Sequence, residues 1–327
     1  MLRHTSRLVS LVLLIDRLPW PSAPVKRPRG RPKTSSDRLL LQALVIMIIR
    51  RLYTAYALLT FLDQEAAVAP QWRPLWHEQG RFPTRRTWER RRAALPPPLP
   101  GLIGCFGRHL VVVLTPWASS GRAVAVDSTP LKTSGGVWHK KPKAAGEMPH
   151  TSLDTEAGWS QSGWPGWWYG WKLHLAGSVG SVWIPLAAEL TAANTADNTV
   201  APPLLAPRPA EVRYILGDTP YNAPEVRTLC AQTNRALVAT RRGASPHHDD
   251  GVDGRRIFPK LRSQALEPFT GLCKNVFEWR TQMPVKGLWR SPLRALGAMV
   301  ISQLVLLYQH EHNRPLGKGI KPLLRAA

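Results

Sequence analysis

Two β-rich runs that each end on an aspartate constrain this chain more than any other feature. Ala123-Val124-Ala125-Val126 places four small or β-branched apolar residues in succession. That is the pattern of a short strand buried on both faces. It delivers Asp127 at its C-terminal end. Val212 to Gly217 repeats the plan and stops on Asp218, with Tyr221 three residues further on. In open α/β sheets, ligands and chemistry collect outside the carboxyl ends of the strands. An aspartate ahead of Ser128-Thr129-Pro130 also suits a turn. The second strand with the same ending is what argues for a site.

The segments around these two runs supply a sheet and its helices. Trp167–Leu175 reads as a strand, and its alternation puts Lys172 and His174 on one face. Such a pair suits a DNA phosphate, and equally an outer sheet face. Val182–Leu190 is the expected hairpin partner, turning at Gly177–Gly180. Ala223–Thr233 is helical and Ala236–Ala239 is a short strand. Residues 262–278 are mostly helix-compatible, with Pro268 and Gly271 weakening the propensity, and Glu267 and Lys274, seven apart, fall on one helical face. Leu293–Tyr308 is a last apolar helix. Lys132–Trp168, rich in Gly and Trp, has no regular reading. Its tryptophans either pack on one another or stack on bases. His247-His248-Asp249-Asp250 is read as a solvated loop rather than a metal site. The expected fold is α/β, a mixed sheet flanked by helices.

Charge points to the partner. The 327 residues carry a net +23 with 44% apolar residues, so a core is available beneath a strongly cationic surface. Such a surface favours a polyanion, nucleic acid above all. Residues 1–126 hold 20 Lys+Arg against 6 Asp+Glu, which is 14 of the 23 net charges. Residues 1–100 are expected to be a basic, mostly helical DNA-binding region, and 101–327 the second domain. Within Lys26–Lys33, Pro28, Gly30 and Pro32 forbid a helix. The extended Arg29-Gly30-Arg31 core resembles a minor-groove hook or, as readily, a flexible basic linker. Ser35-Ser36-Asp37 offers an N-cap for a helix over Arg38–Arg51. Pro83–Arg92 forms another helix, capped by Thr84 or Thr87, whose five arginines, Arg85 and Arg86 among them, suit phosphates. Together these segments resemble a helix-turn-helix arrangement. Leu95–Gly101 is a stiff spacer. The apolar runs Leu39–Ile49 and Val300–Tyr308 are too short to span a bilayer. Met1–Pro21 has only a faint likeness to a leader and no clear cleavage pattern. Three scattered cysteines, Cys105, Cys230 and Cys273, fit neither a disulfide framework nor a zinc site. They suit the cytoplasm, and the charge suits association with the nucleoid.

Two strand-end aspartates and a helix-borne glutamate make a set of hard oxygen ligands for Mg²⁺ or Mn²⁺. Such carboxylates repel one another unless cations lie between them. Two metal ions roughly 3.5–4 Å apart support in-line phosphoryl displacement. The order strand-Asp127, strand-Gly217-Asp218-x-x-Tyr221 and helix-Glu267-x₆-Lys274 resembles the DDE transposases of bacterial insertion sequences. Tyr169-Gly170-Trp171-Lys172-Leu173-His174 matches the same family. The resemblance covers roughly residues 120–325 and implies a ribonuclease-H-like fold. It implies metal-dependent cleavage at element ends and transfer of the 3′-hydroxyl into target DNA. By similarity Asp127, Asp218 and Glu267 are the metal ligands and Lys274 contacts terminal DNA. The partners implied are terminal inverted repeats and target DNA, with a homodimer forming on DNA. The slots that hold Tyr and Arg in the family carry Lys260 and Ser263 here, with Arg262 one position off and Pro268 directly after Glu267. Glu278 is the rival third carboxylate. An inactive or co-opted DNA-binding copy and a ribonuclease-H-like nuclease are the alternative readings.

Overall fold

The computed structural model describes residues 2–21, 35–68, 82–117, 122–162, 166–206, 209–239 and 254–327. Arg29, Arg31 and His247–Asp250 lie outside these. Five helices come first: α1 (Leu2–Arg17), α2 (Asp37–Ile49), α3 (Ala55–Val68), α4 (Arg85–Ala93) and α5 (Leu99–Leu114). Strand β1 (Ala123–Lys132), helix α6 (Lys140–Ala144) and strands β2 (Gly158–Ser162), β3 (Gly166–Val179) and β4 (Pro185–Ala192) follow. Helix α7 (Asp197–Leu205), strand β5 (Tyr214–Gly217), helix α8 (Pro224–Gln232) and strand β6 (Ala236–Ala239) complete the sheet region. The chain closes with α9 (Gly254–Val276), α10 (Arg290–Glu311) and α11 (Ile320–Arg325).

β3 lies antiparallel to β1 along the whole of β1, from Ala123 opposite Val179 to Lys132 opposite Gly170. β5 and β6 add in parallel on the other side of β1. β4 takes the outer edge of β3, and β2 continues that edge from Gly158 opposite Gly170. The order β4-β3-β1-β5-β6, with β3 antiparallel and β5 parallel to β1, is the mixed sheet expected. Two expectations change. β1 is ten residues long, so Asp127 sits in its middle rather than at its end. Pro130 is tolerated there because β5 pairs only with Ala123–Ala125, which leaves that edge of β1 without a ladder bond to lose. The Gly/Trp-rich segment is also partly ordered, as α6 and the β2–β3 hairpin.

The helices form because their caps and apolar faces agree. Ser36 Oγ accepts from Leu39 N at 3.1 Å and starts α2. Thr84 Oγ1 accepts from Thr87 N at 3.4 Å and starts α4. α2 is apolar all round and is buried from Leu39 to Ile48, as such a helix must be. α10 is buried from Ser291 to Gln309. It is the only described helix long and apolar enough to cross a membrane, and all of its apolar window is inside the protein. Gln303 Nε2 on α10 donates to Ile103 O and Pro185 O, both at 2.8 Å, joining α5 to β4. A single buried cluster runs from Leu8 to Ala327 and crosses the expected boundary near residue 100. Leu8, Leu11, Val12 and Ile15 of α1 belong to it, so this segment is a core helix where a leader was faintly suggested. The spacer is shorter than expected, because Leu99–Gly101 are the first turn of α5.

Candidate metal centre

Strand alternation puts the two aspartates on one face. Ala125 and Leu216 are paired across β1 and β5. They share a buried cluster with Ala123, Val179 and Leu266 of α9. Asp127 is two residues beyond Ala125, and Asp218 is two beyond Leu216 in extended backbone (φ −88°, ψ −175°). A period of two therefore turns both carboxyl groups toward the α9 side.

Burial and proximity set their charge. Burial and then the neighbouring Asp218 push Asp127 up to about 6, against the opposing pull of Arg262. Asp218 is also raised, by burial first, with Arg262 lowering and Asp197 raising it. Asp127 Oδ1 accepts from Ser128 N at 2.8 Å, and Oδ2 accepts from Arg262 Nη1 at 2.9 Å. Asp218 Oδ1 is buried and has no hydrogen-bond partner. An orphaned carboxylate oxygen beside a second raised carboxylate fits a hard divalent cation. Asp127 and Asp218 would hold it, and the guanidinium of Arg262 supplies positive charge beside Asp127.

Glu267 does not join them. It is exposed on α9, and its carbonyl accepts from Thr270 Oγ1 at 3.1 Å. Arg262 and Glu267 are five residues apart, about 140° around the helix axis, so they occupy different faces. Among the described residues no three His, Cys, Asp or Glu side chains are grouped to hold a metal. Glu278, the rival, lies beyond α9 and pairs with Arg51 at 2.7 Å. Lys274 is half-buried in the last turn of α9, and burial lowers its pKa.

On the other face of the sheet, Lys172 and His174 do share a side. Asp197, the first residue of α7, sits between them. Its Oδ1 lies 3.2 Å from Lys172 Nζ and 3.5 Å from His174 Nδ1. His174 is fully buried, and Nε2 meets Thr191 Oγ1 at 2.8 Å. Burial pulls its pKa down to about 4, so it is neutral at neutral pH and turned away from any phosphate. In the sequence Asn194–Asn198 reads as a loop containing Asp197, whereas Asp197 opens α7. Its charge raises both Asp127 and Asp218. The only local signal was an acid opening an apolar helix just after a strand.

Tyr221 completes the floor. It is fully buried, and Gly217 leaves room for it: a Cβ at Gly217 would lie 2.8 Å from the Tyr221 Cβ. That contact accounts for the Gly-Asp-x-x-Tyr spacing. Burial, then Asp197, Asp127 and Asp218, raise the phenol well above its ordinary value, so it stays protonated.

In the N-terminal half, α4 divides its arginines. Arg85 and Arg86 are exposed, Arg85 pairing with Glu89 at 3.0 Å. Arg91 instead donates to Ser35 O at 3.1 Å and pairs with Asp37. Arg92 is buried, its guanidinium 4.9 Å from the Trp289 ring centre. Two of the five arginines thus anchor the helix.

Residues 118–266 match the family model described as the transposase DDE domain. No curated protein matches the chain. Similar solved structures include the Mos1 transposase paired-end complex with left transposon end. It is 13% identical, covering 90% of this chain and 83% of that one, with a TM-score of 0.21. The Mos1 strand transfer complex is 13% identical over 86% and 81%, also with a TM-score of 0.21.

Proposed function

We propose, from the match of residues 118–266 to the transposase DDE domain model, that this chain is a DNA transposase. It cleaves the ends of an insertion sequence and joins the 3′-hydroxyl to target DNA. The observation that carries this is the pair Asp127 and Asp218. They stand on neighbouring strands and one face, with Asp127 raised by burial and then by Asp218, and one buried Asp218 oxygen unpartnered. Such a pair suits Mg²⁺ or Mn²⁺. The bound cation would supply Lewis-acid stabilisation of charge at the scissile phosphate. The protein's own part is to hold the two carboxylates in a partly dry site, with Arg262 beside them and a protonated Tyr221 beneath. Glu267 remains the proposed third ligand on the family spacing to Lys274. Lys274, Lys172, Arg85, Arg86, Arg29 and Arg31 are proposed to hold DNA, and His174 to support Lys172 from below. Terminal repeats and target DNA are the proposed partners, with a homodimer assembling on them at the nucleoid.

Asp127→Asn should abolish metal-dependent nicking of end-containing DNA while leaving DNA affinity within about twofold. Wild-type nicking by this variant would end the proposal. The exposed position of Glu267 favours a second reading, a DNA-binding copy without catalysis. Nicking by the wild type that Glu267→Gln abolishes and Glu278→Gln spares would exclude it.

A further inference from the structure

Away from the aspartates, a cavity of about 380 Å³ lies where the α2–α3 turn meets the chain after α9 and the ends of α10 and α11. That volume falls within the range of small-molecule sites. Its wall carries Arg50, Arg51, Arg294, Lys321 and Arg325 against one carboxylate, Glu278. Cations gathered at a concave, partly dry surface attract an anion far more strongly than they would in open water.

Several of these groups are already positioned. Arg294 is buried and donates to Met47 O at 3.3 Å and Leu52 O at 2.9 Å. Its guanidinium lies 4.4 Å from the centre of the Tyr53 ring, and Tyr53 is 45% exposed. Lys321 Nζ is held by Asn275 Oδ1 at 2.9 Å. Arg50 Nε is buried without a hydrogen-bond partner. Phe277 and Trp279, stacked at 5.4 Å, add further ring surface.

The single acid is held in an unusual way. Glu278 and Arg51 both adopt left-handed backbone, with φ of 62° and 57°. That conformation is strained for an L-residue. Their side chains meet at 2.7 Å and are about half exposed, which puts the pair at the mouth of the cavity. Glu278 there acts as an internal stand-in for an external anion.

We propose that this cavity binds a nucleotide unit. The phosphate pairs with Arg51, Lys321 and Arg325, the base lies against Tyr53, and Glu278 is the group the phosphate displaces. The unit comes either from a free mononucleotide or from an unpaired nucleotide of bound DNA. Only the second source rests on the transposase reading.

The test is binding in EDTA, without turnover. The probes are dAMP, inorganic phosphate, and a DNA duplex bearing one unpaired 2-aminopurine. The free-nucleotide source predicts dAMP binding at least tenfold tighter than phosphate. Tyr53→Ala and Arg325→Ala should each weaken it about tenfold, and Glu278→Gln should strengthen it severalfold. The DNA source predicts 2-aminopurine quenching by the wild type that Tyr53→Ala relieves. Variants that melt like the wild type yet leave both readouts within twofold would overturn the proposal. So would dAMP binding no tighter than phosphate together with unquenched 2-aminopurine. Loss of nicking with these binding results intact would count against the transposase reading alone.

Discussion

At Asp127, the buried carboxyl beside Asp218 makes the charged form costly, and the sign of its pH dependence follows. Its pKa in the folded chain, about 6, lies above that of an unfolded aspartate. Between these values the native state binds more protons, so the metal-free protein loses stability as pH rises from roughly 4 through 6. Asp127→Asn removes that slope. At pH 7 the metal-free variant should be the more stable by roughly 2–3 kcal/mol, less whatever the Arg262 contact contributes. Denaturant melts of both proteins at pH 4 and pH 7 measure this; parallel curves at both would show that the carboxyl is not strained by burial. Saturating Mg²⁺ should reverse the order, because only the wild type gains the cation. The Gly217–Tyr221 contact is legible at the same scale. The spacing appears in the sequence, and the structure adds its reason, a ring lying over a position without a side chain.

Elements are legible in the sequence wherever cap and periodicity agree. β6 falls on Ala236–Ala239, as its run of apolar residues indicates. α2 starts at Ser36, within the expected Ser35-Ser36-Asp37 cap, and α4 at Thr84, one of its two candidate caps. What elements pack against was not legible. The arginines of α4 look alike in sequence, and only contact with Asp37, Met47 and Trp289 separates anchors from outward-facing residues. Lys172 and His174 fall on one face as alternation requires, yet α7 covers that face and brings Asp197 onto them. α5 meets β4 through a bare backbone: a Cβ at Gly107 would approach Pro185 O to 2.5 Å. Gly107→Val should force the two apart and destabilise the fold by about 3 kcal/mol or more. A shift in denaturation midpoint reports it, and an unchanged midpoint would mean that α5 does not seat on β4 this closely.

For the whole molecule, the sheet is not a unit that the N-terminal helices merely decorate. α1 places Leu8, Leu11, Val12, Leu14 and Ile15 into the buried core, and Leu18 just after it is buried too. Gln42 on α2 donates to Asp16 at 2.9 Å. Fully burying a side chain of this size contributes about 1.5–3 kcal/mol, against a total stability of about 5–15 kcal/mol for a typical protein. Removing residues 1–18 should therefore leave a chain without a cooperative thermal transition, as circular dichroism would show; a sharp melt would mean that the remainder folds alone. By itself the sequence determined the strand and helix types, the cationic surface and the order Asp127, Asp218, Glu267, because period, capping and charge are local properties. Tertiary structure decided which groups meet. It placed the two aspartates on one face and brought in Asp197. It set Arg262, rather than Glu267, beside Asp127, because the rotation of α9 on the sheet follows from how Leu266 and Phe269 pack and no run of residues encodes it.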